Sequence, residues 1–445
     1  MDIPAKVEKT LIKGYSDLSK KEWLVFMVLI VSNILGPIAF SCIAPFFNDV
    51  ALSKGMSLSE SGVIFGIFHL TGAILSPIIG KLIGKLGTHF MFTYGCMATG
   101  FATLLFSLTI HLPTKNTFFV GTLIVRFLQS LGRAMFYTTT FTLVSTEFPD
   151  ITSSMLGYIE TVSGLGYNLG PVFGGFLYDL FGYEILFLIL GPMIIINGVG
   201  AYYFIDKKVK KGKEIKFDTE HTKFTYKKSF SMPEIYFLMI ITMMCGFFFC
   251  YNEPTLPIAL KPFNMTNTEV GIFFLIQGGV FSIFAPIWGI LIDRLPITNL
   301  LLFVGNILVT TSLFLFGPSH FIPFDRTPIT VAIASVIQIT ALAACYVPCF
   351  KQSINIITEE YGFANDMNTS SILSGMFTCV FSFGGFVGPT IGGILVQYYQ
   401  YTTASTIIGF AHGIFTIIFT IFYLLPRLCS HREKEGKNTS IEMAP

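Results

Sequence analysis

The chain has 445 residues, of which 52% are hydrophobic and only 12% charged, about half the charge share of a soluble domain. Such a chain cannot clothe itself in polar surface and reads as an all-α, polytopic membrane protein. The 28 basic against 26 acidic residues leave a formal charge of +2, which excludes the strong positive field of a nucleic-acid binder.

A helix needs roughly 20 apolar residues to cross a bilayer. Cutting the sequence at charges, Pro-Gly pairs and polar clusters predicts twelve spans. A charged segment, residues 1–22, comes first, with no apolar core and cleavage site of a signal peptide. Residues 23–205 then hold six spans: Trp23–Phe47, Ser61–Ile83, Phe90–His111, Phe118–Ser145, Met155–Asp179 and Ile185–Ile205. Residues 206–234, rich in lysine, form a linker. Six further spans fill 235–425: Ile235–Ile258, Val270–Leu291, Leu300–Gly317, Thr330–Phe350, Ser371–Tyr398 and Thr403–Leu425. A polar tail, 426–445, closes the chain.

The loops test this division. On the side of both termini lie 22 Lys and Arg, on the opposite side 4, so both ends are expected in the cytoplasm. The two remaining basic residues, Arg126 and Arg133, fall inside the fourth span. A guanidinium in a span needs an internal partner or a route to the interface. Arg126 is the candidate for coupling or an interhelical bond, and Arg133 is expected to snorkel.

Two carboxylates stand inside spans, Glu160 in the fifth and Glu253 in the seventh, one in each half. Acids near the interface of transporter repeats are candidates for substrate and proton binding. The alternative is that each lies at a membrane edge in water. His69 and His412 are expected as hydrogen-bonded core residues. The eight cysteines, almost all in apolar runs, are expected as small core residues without metal or disulfide.

The halves also share motifs. Gly166, Gly170, Pro171 and Gly174 of the fifth span recur 218 residues later as Gly384, Gly388, Pro389 and Gly392 of the eleventh. Gly80 after the second span parallels Gly289 after the eighth, where Asp293 and Arg294 follow as an acid and a base suited to a loop latch; Gly84 stands where the first half would carry the acid. Small residues on one helix face let backbones approach closely, and the prolines bend the helices.

These paired glycine runs resemble the antiporters of the major facilitator superfamily, and Arg126-Phe-Leu-Gln129-Ser130-Leu-Gly132 resembles its R-x-x-Q-G-x-G signature, with Ser130 in place of Gly. Leu156-Gly-Tyr-Ile-Glu160 onward, Leu169 to Tyr178, and Asn252-Glu253-Pro254-Thr-Leu-Pro257 resemble the vesicular amine transporter family, specifically its polyamine branch. In the first span, Ser32-Asn33 stands where monoamine and acetylcholine members carry an amine-contacting Asp-Asn pair, which makes Asn33 a candidate contact. Ala343 and Thr378 stand where those members carry aspartates, and Phe68 where they carry a lysine. The resemblance therefore implies a monomeric antiporter of protons against a small organic cation, a polyamine, by alternating access in the lipid of a vesicle, another acidic organelle or the plasma membrane. It implies the proton gradient as energy source and no cofactor. A uniporter or antiporter of another solute, or a transport-dead sensor on the same fold, remains open, while no His-Glu cluster, Ser-His-Asp set or phosphate loop suggests an enzyme.

Overall fold

The computed structural model describes residues 18–148, 152–206, 224–229, 231–317, 325–363 and 367–427. The chain before residue 18, residues 207–223 of the expected linker and the tail beyond 427 lie outside the described residues. In chain order the helices are α1 (Lys20–Ser41), α2 (Phe47–Ser53), α3 (Leu58–Leu86), α4 (Thr88–Leu108), α5 (Lys115–Glu147) and α6 (Thr152–Phe204). They continue as α7 (Tyr226–Ser229), α8 (Pro233–Leu260), α9 (Asn267–Arg294), α10 (Thr298–Phe316), α11 (Pro328–Asn355) and α12 (Met367–Phe419).

The 53 residues of α6 and of α12 would each run about 80 Å as straight helices, more than twice the hydrocarbon thickness. Each is broken once by a left-handed residue, Gly182 (φ 79°) and Gln400 (φ 62°), and so supplies two spans. With α2 and α7 too short to cross, the described residues form twelve spans. Helix is the form that satisfies every backbone group without water. Capping boxes fix several starts, and the one at Ser57 and Glu60 before α3 recurs 209 residues later at Thr266 and Glu269 before α9.

The glycine runs show how the repeat packs. Gly166, Gly170 and Gly174 of α6 lie against the Ile34 carbonyl, the Ser41 hydroxyl with the Ile38 carbonyl, and the carbonyl of Cys42 just past the end of α1, leaving no room for a Cβ. Gly384, Gly388 and Gly392 of α12 take the same posts against the carbonyls of Met243 and Phe247 and the ring of Tyr251 on α8. Each α1 partner is separated from its α8 counterpart by 209 residues.

Between the two halves, α3 packs on α12 and α6 on α9. Gly62 meets the Pro389 carbonyl and Gly393 that of Leu58; Gly271 meets the Pro171 carbonyl and Gly175 that of Asn267. All four contacts lie toward the end bearing the Gly182 and Gln400 turns, here called the far end. At the near end, marked by the Lys21–Asp206 ion pair at 2.5 Å, open space faces Gly72, Gly80 and Gly84 of α3 and Gly157 and Gly164 of α6. The close glycine contacts between the halves thus lie at the far end, and these near-end glycines make none. The expected latch residue Asp293 pairs with Lys351 of α11 at 2.7 Å, tying α9 to its own half.

Candidate functional site

The site begins where α1 stops. Its last turn ends at Ser41 inside the bundle, which leaves carbonyls without intrahelical donors. Arg126 of α5, fully buried, donates to the Phe40 carbonyl at 2.9 Å and to Gln129 Oε1 at 2.6 Å. Gln129 in turn donates to the Ala39 carbonyl at 3.3 Å and to Thr103 at 3.0 Å. A cation at a helix C-terminus is favoured by the helix dipole, and the rings of Phe40, Phe106 and Phe68 lie 5.1, 5.3 and 5.8 Å from the guanidinium carbon. Ser130, in place of the usual glycine, donates to the Phe68 carbonyl at 2.6 Å.

Arg133 does not snorkel to an interface. Its guanidinium lies among the rings of Tyr167, Tyr137 and Phe68, at 5.2, 5.3 and 5.4 Å, and its buried Nε has no hydrogen-bond partner among the described residues. Aromatic faces hold cations through their quadrupoles, so this cage is already proportioned for a positive group. Tyr137 also donates to Glu160 Oε1 at 2.8 Å, and Glu160 is exposed toward the open near end. Asn33, about two turns nearer that end of α1 than Phe40, donates to the Leu29 carbonyl at 2.8 Å and to Thr140 at 3.2 Å, with its buried Oδ1 unpartnered.

From the second half, α8 presents Glu253, 8% exposed, whose Oε2 has no hydrogen-bond partner among the described residues. Cys250, one turn before it, lies 3.3 Å from His69 Nε2 of α3. Pro254 and Pro257 remove the donors that would serve the carbonyls of Cys250 and Glu253, loosening α8 at this point. Beside them Asn252 donates to Gln338 of α11 at 2.8 Å, while Asn252 Oδ1 and Gln338 Nε2 have no partner among the described residues. An acid with a free oxygen, unsatisfied amides and a caged cation form a polar belt across the middle of the molecule.

Arg126 and Glu253 belong to this belt and Glu160 reaches it through Tyr137, whereas Asn33 is buried between α1 and α5. The conformational glycines lie at the helix contacts, apart from it. His412 is a buried core residue accepting from or donating to Thr310 at 2.9 Å, whereas His69 belongs to the belt. Tyr137, Tyr167 and Gln338 escaped notice in the sequence, because single polar residues in apolar runs carry no spacing signal, and His69 is expected there only as a core residue.

A sequence profile of the Major Facilitator Superfamily matches residues 29–373 and 253–443. The human MFS-type transporter SLC18B1 is 28% identical, over 95% of this chain and 91% of its own. A probable vesicular acetylcholine transporter-B of Danio rerio is 24% identical over 40% of this chain and 36% of its own. Among solved structures, a bacterial homolog of the human lysosomal transporter Spinster, in an inward-facing and occupied conformation, superposes with a TM-score of 0.72 at 12% identity, covering 92% of this chain and 97% of that one.

Proposed function

The chain belongs to the Major Facilitator Superfamily and is a membrane transporter of a small solute; from that premise we propose that it exchanges protons for an organic cation of the polyamine class. The observation that carries the reading is Glu253, a buried carboxyl with a free oxygen where the two halves meet. A carboxylate there can hold a proton or an ammonium group but not both, and such competition is the minimum device for exchange. The Phe68, Tyr137 and Tyr167 cage holds the Arg133 guanidinium. Glu160, one hydrogen bond from that cage, supplies a second station for positive charge toward the near end. Stations spread along the pathway suit a cation with charges at both ends.

Loading takes place from the open near end, read as cytoplasmic from the Lys and Arg distribution, and release follows once the far-end contacts part. A vesicle membrane fits the vesicular relatives. A second reading has one observation behind it: Arg126 and Arg133 also face the belt, so a solute carrying a carboxylate would find a partner in Arg133. Uptake of labelled mono-, di- and polyamines and of zwitterionic amines into proteoliposomes, with and without an acid interior, separates the two. Gradient-dependent uptake that favours the polyamines supports the first reading. Uptake of zwitterions alone, or uptake indifferent to the gradient, overturns it.

A further inference from the structure

His69, Cys250 and Glu253 bring an imidazole nitrogen, a thiol and a carboxylate together, their nearest donor atoms all within 4.8 Å of one another. Cys250 and Glu253 are three apart on α8 and share a face, while His69 comes from α3, in the other half. The imidazole-to-sulfur distance of 3.3 Å is close to the ligand separation of roughly 3.5 Å in a tetrahedron with bonds of about 2.0–2.3 Å. Glu253 Oε2 is buried without a partner, and Gly385 of α12 keeps the space clear: a Cβ there would sit 3.0 Å from His69 Cγ and 3.2 Å from Cys250 Sγ.

We propose that these three residues form a binding site for a soft divalent ion of the zinc or cadmium class, and that the bound ion locks the two halves together. The donor set selects the ion, because a thiol and an imidazole favour zinc-like metals over calcium or magnesium. Arg126 and Arg133 face the same belt and would repel an added charge. Binding, however, releases the thiol proton, and the carboxyl proton when Glu253 carries one. When Glu253 is protonated beforehand, two protons replaced by one divalent ion leave the local charge unchanged, so the arginines do not oppose that exchange. Because α3 and α8 belong to halves that must move apart for the far end to open, ligation across them arrests transport.

This inference rests on the seam and not on the identity of the solute, and its first test needs no transport. Purified protein is titrated with cadmium while the ultraviolet thiolate-to-cadmium absorption is followed. A band that Cys250→Ser removes, and that His69→Gln weakens by roughly tenfold or more in apparent affinity, supports the site; Cys250→Ala serves if the serine variant does not fold. The other buried thiols are the internal control, since cadmium absorption undiminished in both Cys250 variants overturns the proposal. The lock is tested by zinc added to proteoliposomes. Inhibition scored as a fraction of each protein's own uptake and relieved in His69→Gln supports it, and equal fractional inhibition of wild type and His69→Gln refutes it.

Discussion

Asp179 and Gln397 hold equivalent posts, 218 residues apart in the sequence, and each caps the first turn of a helix from the opposite half. Asp179 accepts from the Thr268 backbone N–H at 2.9 Å, the Thr268 hydroxyl at 2.7 Å and Asn267 Nδ2 at 2.7 Å. Gln397 Oε1 accepts from the Ser59 backbone N–H at 3.1 Å and the Ser59 hydroxyl at 2.5 Å. Thr268 and Ser59 are themselves 209 residues apart, the spacing of the helices they begin. The far end is therefore closed by two latches of one design, one charged and one neutral.

Opening the far end must break both. Replacing Asp179 by Ala removes a charge-assisted cap, worth about 1 kcal/mol once solvent screening of this exposed carboxylate is counted. The expected result is a fewfold faster labelling of Cys250 by a thiol reagent added from the far side. An unchanged rate would make the latch irrelevant to opening.

Arg126 holds the end of α1 in place as well as facing the belt. Arg126→Ala leaves the Phe40 carbonyl and Gln129 without their donor in a dry interior, a loss of about 2–4 kcal/mol, and should lower the thermal midpoint in detergent by several degrees. Arg126→Lys keeps the charge but cannot span both acceptors as a planar fork does, so it should fall between wild type and the alanine variant. Equal midpoints for all three would reduce Arg126 to its charge alone.

The orientation rests on 22 basic residues facing 4 across the spans. Epitopes at both termini should be reached from the cytosol in sealed cells or vesicles. A terminus labelled from the far side would contradict the assignment.

Much of this architecture is legible in the sequence because lipid imposes it. Apolar length marks the spans, and paired glycines mark the close approach of α6 to α1 and of α12 to α8. What is not legible depends on how helices rotate against each other. Arg133, expected at an interface, is turned into three rings, a contact that requires Phe68 and Tyr167 from two other helices. Cys250 and His69 are 181 residues apart, and each alone in an apolar run looks like core. Asp293 finds Lys351 on α11 instead of Arg294 beside it, for the same reason. The far-end latches are hidden too, since their caps come from the other half and not from the local capping boxes.

Glu253→Gln tests the central claim most directly, because it keeps the shape and hydrogen-bonding capacity of the side chain and removes its ability to exchange a proton. Uptake of a labelled polyamine is measured in proteoliposomes with an acid interior, alongside the alkalinisation of that interior by outgoing protons. Wild type should show both fluxes, and the variant should lose them together while remaining folded by size-exclusion and thermal unfolding. A variant that still concentrates the polyamine against its gradient, with proton flux intact, would contradict the account.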